Sequence, residues 1–174
     1  MIELYLGGTR SGKSKLAEQA ALESALSVVY IATATSGDGQ MQQRIQQHRV
    51  RRPSTWQLVE EPLYLADIIA QNDAKDNCLL VDCLTLWLTN CLFSQDTDFY
   101  LAQKERLLAV LESLQGHVIF VSNETNMGVI PMGEMSREFC DQAGLLHQEL
   151  AAISHKVTLA VAGLAHVLKD QKSE

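Results

Sequence analysis

Apolar positions along the chain alternate between short continuous runs and longer amphipathic stretches, from one end to the other. Ile2–Leu6 reads as a first strand, followed by a glycine-rich turn and a helix over roughly Lys13–Ala25. Val28–Ala32, rich in β-branched and aromatic residues, predicts a second strand. A polar helix is expected from about Asp38, capped by Asp38 or Ser36, and Pro53 ends it, because the residue before proline is pushed out of the α region. Trp56–Val59 predicts a short strand, and Pro62 is placed to open a helix over Leu63–Gln71. Cys78–Asp82 and His117–Ser122 are nearly continuous apolar runs, as in strands covered on both faces. Helical spacing covers Leu86–Phe93, Tyr100–Leu114 (ended by Gly116) and Met135–Ser154, and Lys156–Ala162 reads as the last strand. Alternation of β and α elements predicts an α/β fold, a mostly parallel sheet flanked by helices.

At 174 residues, without a repeat or a linker-like stretch, the pattern fits a single domain over 1–174. With 14 Lys and Arg against 21 Asp and Glu, the net charge of −7 argues against nucleic-acid partners and against docking on an anionic membrane. The N-terminus has no export-like segment, and Val157–Leu168 is too short to span a bilayer. Four cysteines, at 78, 83, 91 and 140, show no metal-like spacing and fit buried thiols in a reducing compartment. A cytoplasmic location without membrane insertion is expected.

The turn after the first strand carries candidate chemistry. Gly7-Gly8-Thr9-Arg10-Ser11-Gly12-Lys13-Ser14 matches G-x-x-x-x-G-K-[ST], with a strand leading in and a helix leading out. Glycines let the backbone curl so that several N–H groups point inward, and the next helix offers its positive end to phosphate. Lys13 can reach terminal phosphates and Ser14 can ligate Mg²⁺, so a nucleoside triphosphate is the expected ligand. Asp82, at the end of CLLVD, has the context of the second metal-holding carboxylate, although it also suits a local cap. The guanine reader Asn-Lys-x-Asp of signalling GTPases is absent after HVIFVS, where Asn123-Glu124-Thr125-Asn126 stands instead. Asp141-Gln-Ala-Gly144 falls within a helical pattern and is read as coincidence.

A second cluster lies at Gln40–Pro53. Arg44, Arg49, Arg51 and Arg52 concentrate positive charge in an acidic chain, which suits a polyphosphate, or simply a helix C-terminus in solvent. Met41, Ile45 and His48 share a helical face. His48 is therefore either a structural histidine or a phosphorus nucleophile, kept neutral by its positive neighbours.

Five blocks then line up in order: the phosphate loop, Tyr30-Ile-Ala-Thr33, Arg44-Ile-Gln-Gln-His48, Arg52-Pro53-x-x-Trp56, and Asn123-Glu124-x-x-Met127-Gly128-x-x-Pro131. Over about residues 2 to 165 they resemble the bifunctional adenosylcobinamide kinase / adenosylcobinamide-phosphate guanylyltransferase of cobalamin biosynthesis. The resemblance implies a RecA-like phosphate-loop fold assembled as a homotrimer. It implies phosphorylation of the aminopropanol hydroxyl of adenosylcobinamide with ATP or GTP, then transfer of GMP from GTP to that phosphate, releasing pyrophosphate. His48 corresponds to the guanylylated residue. Gly7, Gly8, Thr9, Arg10, Ser11, Gly12, Lys13, Ser14, Thr33, Ala34, Thr35, Arg49, Val50, Arg51, Arg52, Glu60 and Asp82 correspond to nucleotide contacts, with Ser14 and Asp82 on Mg²⁺. This chain departs from the family at His147-Gln148, where Asn commonly precedes Gln, and at Asp82, where some relatives carry Glu.

Among the remaining candidates, Trp56 and Trp87 read as core or lid packing rather than base-stacking platforms. His117, His147, His155 and His166 lack metal-like spacing and are given no chemistry. Asn123 and Glu124, just after a strand, fit a structural turn and a substrate contact equally well.

Overall fold

In the computed structural model the described residues are 1–35, 53–94 and 98–171. They form β1 (Ile2–Gly7), α1 (Lys13–Glu23), β2 (Ser27–Ala32), β3 (Gln57–Glu60), α2 (Leu65–Asn72), β4 (Asn77–Asp82), α3 (Leu84–Leu92), α4 (Phe99–Glu112), β5 (His117–Asn123), α5 (Glu134–Ile153), β6 (Lys156–Val161) and β7 (Leu164–Asp170). The strands make a seven-stranded sheet in the order β3-β2-β4-β5-β1-β6-β7, parallel except for β7. The α/β fold expected from the sequence is thus observed. The polar helix expected from Asp38, with His48 and Arg49–Arg52, lies outside the described residues.

Strand β1 is buried at all six positions, which is why its apolar run does not alternate. Leu4, Ile31, Val81 and Phe120 pack beneath α2, α3, α4 and α5, while Tyr5, Tyr30, Leu80 and Val121 pack beneath α1. Ala17 and Ala21, both fully buried, let α1 approach its face of the sheet.

One expectation is corrected. Lys156–Ala162 is not the last strand, because the chain turns at Ala162 and Gly163 (φ 53° and 80°) and returns antiparallel as β7. Paired positive φ values of this kind match the twist of a two-residue hairpin turn.

The connections position the site. From β1 the chain crosses through α1 to β2, on one side of the sheet order, whereas from β5 it crosses through α5 to β6, on the other. The loops after β1 and β5 therefore diverge at the C-terminal edge of adjacent strands, where open α/β sheets bind ligands.

Candidate functional site

The loop after β1 is built around two glycines. A Cβ on Gly7 would lie 2.4 Å from Ser11 Oγ and 2.7 Å from the Ala160 carbonyl, so only glycine fits where β1 turns. Gly12 has φ +96°, and a Cβ there would sit 3.0 Å from Gly163 Cα. Ser11 N–H closes the turn on Gly8 O at 3.2 Å, and Gly163 N–H donates to Ser11 O at 2.8 Å, so the β6–β7 turn braces the loop from outside. The N-cap of α1 is Gly12, with no side-chain cap and no acidic residue in the first turn. The first amides of α1 and its positive dipole end thus face the loop. Lys13 Nζ arches back to the Gly8 carbonyl at 3.2 Å, which holds the ammonium over the loop.

Asp82 ends β4, one strand removed from β1, with β5 between them. Alternation from Leu80 puts its side chain on the α1 side of the sheet, the side that carries Lys13 and Ser14 in the first turn of α1. Tyr30 OH donates to Asp82 Oδ2 at 2.8 Å. Burial, with the Asp82 charge adding to it and the Lys13 charge opposing, pushes the Cys83 thiol up to about 11.

The 33–35 segment separates in role. Thr33 is fully buried, and its hydroxyl accepts from Cys83 N–H at 2.9 Å and donates to Cys83 O at 2.6 Å. Its side chain is committed to holding the peptide after Asp82, while Ala34 and Thr35 follow toward solvent. Glu60, at the exposed end of β3, shares the C-terminal edge of the sheet with Gly7. Four strand spacings separate them, about 19 Å. The structure therefore brings Gly7–Ser14 together with Asp82 and sets Glu60 at the far end of the same edge. His48 and Arg49–Arg52 lie outside the described residues.

Sequence reasoning passed over a half-buried hydrogen-bonded chain behind this edge. His147 on α5 pairs through Nε2 with Ser122 Oγ at 2.8 Å, and Ser122 Oγ lies 3.3 Å from Thr85 Oγ1. Thr85 Oγ1 accepts from Asn123 N–H at 2.7 Å, while Glu124 N–H donates to Gly7 O at 3.1 Å. Burial lowers the His147 pKa, with the Glu124 charge opposing, so a neutral imidazole fixes the turn after β5. A lone histidine on a helix gives no sequence signal for this, because its partner lies 25 residues away. Tyr30 belongs to a recognised block, yet its bond to Asp82 emerges only when β2 and β4 pair.

Other candidates fall to structure. Trp87 is core, donating Nε1–H to Leu63 O, and Trp56 stacks on Tyr30 at 6.4 Å. The four cysteines are unpaired, and burial pushes Cys78 and Cys91 up to about 11 and 12. Among the described residues, no group of His, Cys, Asp or Glu forms a metal cluster of three, and no helix is long and apolar enough to cross a membrane.

Residues 3–168 match the family model described as cobinamide kinase / cobinamide phosphate guanyltransferase. The bifunctional adenosylcobalamin biosynthesis protein CobP of Pseudomonas aeruginosa is 53% identical over 171 residues, covering 98% of this chain and 99% of the relative. The bifunctional adenosylcobalamin biosynthesis protein CobU of Escherichia coli K12 is 35% identical, covering 97% of this chain and 100% of the relative. Among solved structures, the RadB recombinase superposes with TM-score 0.51 at 16% identity, over 91% of this chain and 73% of that one. The type III secretion ATPase EscN of enteropathogenic E. coli superposes with TM-score 0.55 at 14% identity, over 98% and 47%. At such identities the likeness shows the fold alone, a RecA-like phosphate-loop architecture.

Proposed function

The chain belongs to the cobinamide kinase / cobinamide phosphate guanyltransferase family, and from that premise we propose that it performs both reactions on adenosylcobinamide at the C-terminal edge of the sheet. The observation that carries the proposal is the loop Gly7–Ser14, with Lys13 held over it and Asp82 on the same side of the sheet. In the kinase step the loop amides and Lys13 hold the triphosphate of ATP or GTP, and the aminopropanol hydroxyl attacks the γ-phosphorus in line. The new O–P bond forms as the bond to the β,γ-bridging oxygen breaks, ADP or GDP leaves, and the hydroxyl proton passes to solvent. Ser14 hydroxyl and Asp82 carboxylate are hard oxygen donors on one side of the sheet, a set that suits Mg²⁺. When bound, the cation neutralises charge on the phosphate oxygens.

In the second reaction a ring nitrogen of His48 attacks the α-phosphorus of GTP. An N–P bond forms, the bond to the β-phosphate oxygen breaks, and pyrophosphate leaves with its charge met by Arg49, Arg51 and Arg52. A phosphate oxygen of cobinamide phosphate then displaces His48, giving adenosyl-GDP-cobinamide and returning the free imidazole. Ala34, Thr35, Val50 and Glu60 complete the nucleotide contacts in this reading, while the buried Thr33 holds the peptide after Asp82 instead of touching the nucleotide. The protein works in the cytoplasm as a homotrimer.

The test is incubation with Mg²⁺ and GTP radiolabelled at the α-phosphate, followed by denaturation and counting of protein-bound label. Acid-labile, alkali-stable label is expected on the native chain and none on His48→Ala. Absence of label on the native chain, despite GTP binding, would overturn the guanylyl-histidine and leave a kinase.

A further inference from the structure

The loop between β5 and α5 is unusual in what it shows to solvent. From Thr125 to Gly133 the sequence has no charged residue. Met127, Val129, Ile130 and Met132 are 72%, 94%, 77% and 96% exposed, and Met135, in the first turn of α5, is 62% exposed. Isolated apolar side chains at a surface are ordinary, but a contiguous run of this kind marks a binding surface.

The loop is built to hold that display. Both Glu124 carboxylate oxygens are used inward, accepting the Asn126 and Met127 N–H groups at 2.8 and 3.2 Å. The Asn126 side-chain amide donates to the Cys140 carbonyl of α5 at 3.0 Å, and Arg137 donates to the carbonyls of Pro131 and Met132. Polar side chains thus grip the backbone, while the apolar ones stay exposed. At its root, Glu124 N–H is bonded to Gly7 O. Met127 follows three residues later, at most about 10 Å of chain from the lip of the phosphate loop.

We propose that the apolar surface of Met127, Val129, Ile130 and Met132 is the platform for the corrin macrocycle of the acceptor substrate, laid so that its alcohol arm reaches the phosphate loop. The proposal rests on the function argued above and adds the place where the substrate's ring binds. Three features favour a corrinoid over another occupant. The surface is continuous with the loop whose bound triphosphate must meet the acceptor. Its uncharged, methyl-rich face suits the broad, methyl-bearing faces of a corrin ring, whose amide side chains project from its rim, and methionines mould to such irregular faces. Its few side chains fall well short of the roughly 20–30 residues a side that a stable protein interface uses.

The experiment compares the native protein with Met127→Ser/Ile130→Ser, and with Leu101→Ser, at an exposed position of α4, as a control. Cobinamide binding is followed by corrin absorbance in equilibrium dialysis, phosphorylation by steady-state kinetics with ATP, and mass by light scattering. Loss of two apolar contacts is expected to raise the Kd and KM for cobinamide about tenfold or more. The KM for ATP, the mass and the control are expected to stay unchanged. An unaltered Kd and KM in a native-mass double variant would overturn the platform alone. A change in mass would also overturn it, assigning the surface to contact between copies. Native protein that neither binds nor phosphorylates cobinamide would overturn the proposed function and the platform together.

Discussion

Two carboxylates on the α1 side of the sheet accept a hydrogen bond from a tyrosine hydroxyl, and their surroundings divide structure from chemistry. Glu3, near the start of β1, is 4% exposed and has both oxygens engaged. Oε1 pairs with His117 Nε2 at 3.0 Å, and Oε2 accepts from Tyr5 OH at 2.9 Å, with Lys156 Nζ at 3.8 Å. Asp82, at the opposite, C-terminal edge, is half-buried, takes Tyr30 OH on Oδ2, and shares its side of the sheet with the first turn of α1. A buried carboxylate enclosed by donors can only hold the fold together. One at the ligand edge, taking a tyrosine hydroxyl and sharing its side of the sheet with Lys13 and Ser14, is placed to meet a cation and a phosphate.

Exchanging the side chains tests that division most strongly. Asp82→Asn is expected to lower cobinamide kinase kcat/KM by about 100-fold or more, the scale of losing a preorganised charge at a phosphoryl site. Its thermal midpoint should stay close to native. Glu3→Ala is expected to destabilise by about 3 kcal/mol, because it leaves His117 and Lys156 without their buried partner. Turnover per folded molecule should persist. Denaturant titration and steady-state kinetics read the two axes separately, and a Glu3→Ala protein that is stable but inactive would erase the distinction.

Acid unfolding sharpens it further. Burial alone would raise the Glu3 pKa, but hydrogen bonds from His117 and Tyr5, with the charges of His117 and Lys156, outweigh it and hold the group below its ordinary 4.5. A carboxylate depressed in the native state stabilises fully above its unfolded pKa and loses that contribution as pH falls through the lower native value. Stability should therefore be flat with respect to Glu3 from neutrality down to about pH 5 and decline below about 4.5. The steepness of that decline should be reduced in Glu3→Ala.

What the sequence disclosed follows from how local each signal is. The phosphate loop was legible because its chemistry occupies eight consecutive residues, between a strand and a helix, and Asp82 because a strand-end acid after an apolar run is itself local. The hairpin β6–β7 was not, since Ala162-Gly163 lacks the Asn-Gly signature of its turn and apolar residues continue on both sides. Pairings across distant segments were equally hidden. Tyr30 meets Asp82 over 52 residues, and Glu3 meets His117 over 114. Glu3 attracted no notice because a lone acid in an apolar strand looks like an exception until its partners arrive from β5 and β6.

The smallest expected effects separate the two tyrosines. Each hydroxyl contributes one hydrogen bond to a charged acceptor, worth about 1.5–3 kcal/mol where buried and less at an open edge. Tyr5→Phe removes a donor that helps to lower the Glu3 pKa, so the native pKa rises and acid unfolding should begin at higher pH. The magnesium dependence of the kinase should not change. Tyr30→Phe removes one donor from Asp82, so the magnesium concentration for half-maximal rate should shift by a few-fold while the acid midpoint stays put. Paired titrations of rate against magnesium and stability against pH check both. If Tyr5→Phe moved the magnesium dependence, or Tyr30→Phe moved only the acid midpoint, the assignment of one carboxylate to the fold and the other to the reaction would be reversed.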